Sequence, residues 1–293
     1  MTTAGNLVDR VAQHLLAGTV EERNKIAASV NASATSIPVS YSLGTLTEKT
    51  VFEVESELFY VWEVDTANKT LTVERGYGGT TAASHSSGVT LTVNPKFPRW
   101  QILNALNDEL ADLSSPMNGL FQMKTVDLSY NGSDRMVDLT STTDIIDLYD
   151  VRLRYLSDDY PVIRNVRLMR EMPTTDFASG NVLVFDQSVL SGTVRVSYKA
   201  PYTSFTSEAS TLASSGAGDT LTDLLVLGAQ IRLLAAREVK RNFIESQGDT
   251  RRAEEVPAGA MNASITNLLR LRRDRIQAEA ARLARQYPLR IRK

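Results

Sequence analysis

From residue 25 to 93, and again from about 122 to 202, the chain is written in short runs that favour a period of two. These runs are rich in Val, Thr, Tyr, Phe and Trp and are divided by polar turns. Side chains that alternate in this way present one face of a strand to a core, and a helix cannot satisfy the same pattern. The pattern predicts strands over 25–30, 36–40, 51–55, 58–64, 70–75 and 89–93. In the second stretch it predicts strands over 122–129, 151–156, 163–169, 182–185 and 193–199, with a turn at 143–148. Many short strands at such spacing point to small barrels or sandwiches.

Outside these stretches the apolar step lengthens to three and four. Leu7, Val11 and Leu15 mark a helix over 5–17 that Gly18 can stop. Trp100, Leu103, Leu106, Leu110 and Leu113 mark another after Pro98. Thr220 and Asp223 offer a capping box for a helix reaching about 245, and a last helix spans about 261–286 before Pro288. A helix with one apolar stripe must bury it. The expected fold class is therefore α+β. A helical bundle body, made of the N-terminal, central and two C-terminal helices, would carry two β-rich barrel or sandwich insertions. The boundaries that follow are 1–20 (helix), 21–94 (β module), 95–118 (helix), 119–202 (β module), 203–218 (a Ser/Ala/Gly linker, flexible or draped over a neighbour) and 219–293 (C-terminal helices and a basic arm).

Charge is unevenly placed. Residues 232–293 hold 15 Lys and Arg against 7 Asp and Glu, whereas the rest holds 17 against 27. Such asymmetry bears on partners rather than on fold. The absence of Cys excludes disulfides, thiolate nucleophiles and Cys-based metal sites, and two His are too few for an imidazole cluster. No apolar run approaches the roughly 20 residues of a membrane-spanning helix. The N-terminus lacks the basic and apolar regions of a signal peptide. No cofactor, metal or membrane partner is expected.

The segment 75–88, RGYGGTTAASHSSG, is too long for a simple hairpin turn. His85 lies there among Ser84, Ser86, Thr80 and Thr81, the one place where nucleophilic catalysis could begin. Neighbours on a loop seldom reach the geometry of a nucleophile, its base and an orienting third group. No catalytic residue is assigned, and the protein is expected not to be an enzyme. The Gly pattern lacks the order of a phosphate-binding loop, and Asp144, Asp147, Asp150, Asp158 and Asp159 lack the spacing of a calcium loop. The basic C-terminus is the stronger candidate. Arg270, Arg272, Arg273, Arg275, Arg282, Arg285, Tyr287, Arg290, Arg292 and Lys293 are expected to meet a partner protein or a neighbouring subunit, or packaged DNA through nonspecific phosphate contacts.

The strand through Glu57 and Val61, the segment TLTVERGYGGTTAASHSSG and the following VTLTV together resemble a module of structural proteins of tailed double-stranded DNA bacteriophages. The pattern is carried by Arg75, Gly76, Gly79, Thr80, Ala82, His85 and Gly88. PRWQILNALNDELADL, LGAQIRLLAAREVKR and the basic helix closing on YPLR are similar to head-to-tail connector (adaptor) proteins. The resemblance implies a noncatalytic virion protein of the neck, made in the host cytoplasm. It would form a homo-oligomeric ring, twelvefold in that group, that engages the portal protein and the next neck or tail ring. Two alternatives stand beside it: a tail or baseplate structural protein, which can use the same β module, and a glycan-binding or glycan-cleaving protein.

Overall fold

The computed structural model describes residues 2–140, 142, 144–154, 161–186, 189–245 and 260–288. The chain divides into two compact units. The first comprises 1–109, 205–212 and 219–269; the second comprises 110–204, 213–218 and 270–293.

In the first unit, α1 (Ala4–Leu16) starts at Thr3, whose hydroxyl accepts the Asn6 amide, and ends at Ala17 in a left-handed conformation with Gly18 beyond it. Six strands follow: β1 (Arg23–Lys25), β2 (Ser36–Pro38), β3 (Val51–Val54), β4 (Glu57–Asp65), β5 (Thr70–Glu74) and β6 (Thr90–Val93). They pair antiparallel in the order β1-β6-β3-β4-β5-β2. The sheet then curls until its edges meet. Ile26 bridges Val39, the Ala27 amide donates to the Pro38 carbonyl, and the Ser40 amide donates to the Lys25 carbonyl. Closure removes the open edges that would otherwise template association. Inside lie Ile26, Ile37, Val39, Phe52, Val54, Phe59, Val61, Leu71, Val73, Leu91 and Val93, the inward half of each alternating strand. Phe52 and Phe59 stack at 4.7 Å in the middle of this core.

α2 (Arg99–Leu113) and α3 (Thr222–Glu245) follow these strands in sequence. The first turns of α3 are buried nearly all round, at Leu224, Leu225, Val226, Ala229, Gln230 and Ile231. Asp223, expected to cap α3 with Thr220, forms an ion pair with Arg10 of α1 at 2.9 Å.

In the second unit, β7 (Gln122–Tyr130), β12 (Gly192–Ala200) and β9 (Asp147–Arg154) make one three-stranded antiparallel sheet. The other sheet is β10 (Val166–Met169), β11 (Val182–Phe185) and β8 (Met136–Asp138). Inner residues of both sheets share one core, including Leu153, Val166, Leu183, Phe185, Val194, Val196 and Tyr198, so this is a sandwich. α4 (Ala260–Gln286) adds Ile276 and Leu283 as buried residues.

Two expectations need correction. The body of the protein is not a helical bundle: twelve strands in three sheets stand beside four α-helices among the described residues, and the barrel and the sandwich each enclose a core of their own. Inward alternation lets each β region bury its own apolar side, so the strands need no helical platform. The turn expected at 143–148 gives way to β9, because Asp147 and Leu148 pair with Lys199 and Tyr198 across a bulge. Residues of the Ser/Ala/Gly segment 203–218 pack within their own units. Phe205, Leu212 and Ala217 are buried, and within the first unit the Ala4 and Gly5 amides donate to the Ser210 and Glu208 carbonyls.

Candidate interaction surfaces and the His85 loop

β4 begins with an acidic residue in an inward register: Glu57, Phe59 and Val61 alternate towards the core, and Glu57 is 1% exposed. A carboxylate in that place must be compensated. Glu57 Oε1 accepts Arg75 Nε at 2.8 Å and the Gly76 amide at 3.1 Å. Its Oε2 accepts Arg75 Nη2 at 2.9 Å, the Ala83 amide at 2.9 Å and His85 Nε2 at 2.8 Å. Arg75 also donates to the carbonyls of Asn31, Ala34 and Ala83, and its guanidinium lies 4.8 Å from the centre of the Phe59 ring. The sequence motif is thus one half of a lock whose other half is Glu57.

His85 is buried, and its backbone pairs with Val30 in both directions at 2.9 Å. Its Nδ1 lies 2.8 Å from Glu55 Oε2. With a carboxylate at each nitrogen the ring donates at both, which requires the imidazolium. Neither nitrogen is left to take a proton from Ser84 or Ser86. Thr80 is also committed: its hydroxyl accepts the Leu58 amide and donates to the Tyr77 carbonyl. Gly76 turns the chain at φ +63°, where a Cβ would stand 2.9 Å from the Thr80 carbonyl oxygen. The loop is therefore sewn to the barrel at Gly76, Ala83 and His85.

The lock has an electrostatic signature. The hydrogen bond to Glu57 raises the His85 pKa above its usual 6.5, against the opposing effect of burial, and Glu55 adds to the rise. Burial would raise Glu57, but the bonds from His85, Arg75, Ala83 and Gly76 outweigh it and hold the carboxyl at about 2. Glu53, on the outer face of β3, is pushed up to about 8 by burial, although it accepts the Arg99 amide at 2.6 Å. Each shift links stability to pH through the protons gained or lost on unfolding. Glu57 stabilises fully above 4.5, and that contribution is lost as pH falls through about 2. The His85 contribution is complete below 6.5 and is lost as pH rises through its elevated pKa. Glu53 costs stability progressively from 4.5 to about 8 as the unfolded carboxyl ionises first. The first unit should therefore be most stable in mildly acidic solution and should lose stability towards pH 9. Thermal melts followed by fluorescence test this directly, since Trp62 and Trp100 both lie in that unit. Glu53→Gln should flatten the alkaline limb.

Beside Glu53 lies an open cleft of about 390 Å³, lined among others by Asp9, Arg23, Glu55, Arg99 and Glu208. Arg99 binds Glu208 through Nε and Nη2 at 2.8 and 2.5 Å and Asp9 through Nη1 at 2.7 Å. Ser56 donates to Glu208 at 2.7 Å. Burial would raise Glu208, but Arg99 and Ser56 hold it below its usual range. Two carboxyls pushed apart in pKa can serve as acid and base. Here the bonds tie strand, helix and the 205–212 segment together.

The C-terminal arginines divide by environment. Arg272 is largely buried and pairs with Asp112. Arg282 grips both oxygens of Glu279 and donates to Gln286 at 2.8 Å. Tyr287 packs at 6.0 Å from Phe121 and 5.7 Å from Tyr149. Arg270, Arg273, Arg275 and Arg285 are exposed and pair with no described residue. Arg290, Arg292 and Lys293 lie outside the described residues, as do Asp158 and Asp159. Of the predicted set, then, Arg272 and Tyr287 serve the second unit's own packing.

Sequence reasoning found the loop residues and the strand through Glu57 but missed that Glu57 and Glu55 bind them, and missed Glu53. The available signal was Glu57 itself, an acidic residue in phase with the inward apolar positions of its strand. It also passed over Trp62, which is 58% exposed on the barrel's outer face. Tyr60 lies between Trp62, at 4.7 Å, and Tyr77, at 5.2 Å. Among the described residues no group of three or more His, Asp or Glu could hold a metal ion, and no helix is long and apolar enough to cross a membrane. Comparison of the chain with protein-family models finds no match, and comparison with curated proteins finds none either.

Proposed function

We propose that this chain is a structural subunit of a phage neck, assembling with copies of itself and joining the portal of the DNA-filled head to the tail. The observation that carries the reading is the surface of α4 bearing Arg270, Arg273, Arg275 and Arg285, exposed and without an ion-pair partner among the described residues, set against an acidic remainder of the chain. Opposite charges of this kind speed encounter and fix register between subunits. A multiply bonded loop anchored by a buried histidine suits a protein that must hold its shape under load, and the motif forming that loop belongs to the sequence that resembles phage structural proteins. Virion incorporation and binding to purified portal test the proposal. The protein should co-purify with particles and bind portal, and Arg270→Glu with Arg273→Glu and Arg285→Glu should reduce portal binding. Wild-type binding should fall with rising salt, because exposed pairs are screened beyond about 8–10 Å at moderate ionic strength. Absence from virions would overturn the reading. Incorporation without portal binding would move the protein to the tail or baseplate.

A further inference from the structure

The outer face of the barrel carries an exposed aromatic with acidic neighbours, and the outer face of α4 carries exposed arginines beside an open depression. On β4 and β5, alternation places Tyr60, Trp62, Glu63 and Glu74 on the side away from the core, with Tyr77 beside them. Trp62 sits in the bulge between Val61 and Glu63, which lifts it from the sheet. The result is an aromatic knob flanked by two exposed carboxylates. On α4, Ala278 and Ala281 lie in an open depression of about 580 Å³ walled by Arg282, Arg285 and Gln286. At about 100° per residue, Arg270, Arg273 and Arg285 fall within roughly 120° of one another on this same side. An arginine stem and guanidinium cover an aromatic face well, and Trp is the strongest partner.

We infer that the surface formed by Trp62, Glu63 and Glu74 of one copy docks on the α4 depression of a second copy, with the Trp62 indole over Ala278 and Ala281. The carboxylates then face Arg270, Arg273 or Arg285. Because knob and depression are different surfaces of one chain, the contact is heterologous, and repetition leads to a ring or an open filament rather than to a two-fold dimer. This deepens the self-assembly proposed above and rests on it, but it does not depend on the portal.

Sedimentation velocity over a concentration series tests it with the full chain. Trp62→Ala and Ala281→Trp change exposed positions, and unchanged melting temperatures would confirm that each variant folds. Each should weaken self-association by roughly tenfold or more, as expected for losing a desolvated aromatic–arginine contact. The distinguishing result is the equimolar mixture. The Trp62→Ala chain keeps a sound depression and the Ala281→Trp chain keeps a sound knob, so together they should stop at heterodimers. Glu63→Arg with Glu74→Arg should dissociate the assembly, and Arg270→Glu with Arg273→Glu and Arg285→Glu in the mixed partner should restore it. Wild-type assembly undiminished in both single variants would overturn this interface while leaving self-assembly standing. A wild-type chain that is monomeric throughout would overturn both.

Discussion

Glu57→Ala should cost the first unit about 3–5 kcal/mol, the range expected when one member of a buried charge network is removed and the others stay. The substitution leaves Arg75 as a buried cation without a counter-charge, His85 with Glu55 as its one remaining carboxylate, and the Gly76 and Ala83 amides without an acceptor. Glu57→Gln should fall between, since an amide still accepts some of these bonds but carries no charge. Denaturant unfolding followed by tryptophan fluorescence reads the first unit alone, because both Trp residues belong to it. A loss under about 1 kcal/mol would show that the network is solvated rather than buried. Replacing Glu57, Arg75 and His85 together by Leu, Met and Leu should cost less than Glu57→Ala, because buried ion networks exchanged whole for apolar groups are often neutral.

Gly228→Ala should destabilise, opposite in sign to the roughly 1 kcal/mol that the same change usually gains inside a helix. A Cβ at Gly228 would stand 2.0 Å from the carboxyl carbon of Glu109. Glu109 is 1% exposed and pairs with Arg232 at 3.2 Å, so it cannot simply swing into solvent. Overpacking and a broken buried pair together should cost about 3 kcal/mol or more. Gly79→Ala is the control. Its Cβ meets nothing within 4 Å, and only the φ of +88° opposes it, worth roughly 1 kcal/mol. Equal melting temperatures for Gly228→Ala and wild type would mean that α2 and α3 can part at no cost.

The existence of the strands and helices was readable because each follows from a periodicity within the chain. Phe59 and Val61 alternate inward, and Leu7 and Val11 repeat along one side of α1, whatever lies across from them. The elements that escaped are those whose reasons lie elsewhere in the chain. β8 is three residues long, too short to show a period, and exists because Leu183 and its neighbours pair with it. The 203–218 segment has the composition of a linker, yet Glu208 within it completes the binding of Arg99.

Two β modules separated by helices, a Gly-rich loop containing a histidine and a basic C-terminus follow from residue order alone. Tertiary structure alone decided that the first sheet closes on itself through Ile26 and Val39. It also decided that each module encloses its own core, so that no helical body is needed. It paired His85 with Glu57 and Glu55, residues 28 and 30 positions away. And it separated arginines identical in sequence terms into those committed to Asp112 or Glu279 and those left exposed. The physical reason is the same in each case. Backbone periodicity is encoded locally, whereas the partner of a buried charge and the closure of a sheet depend on distances that only folding brings within reach.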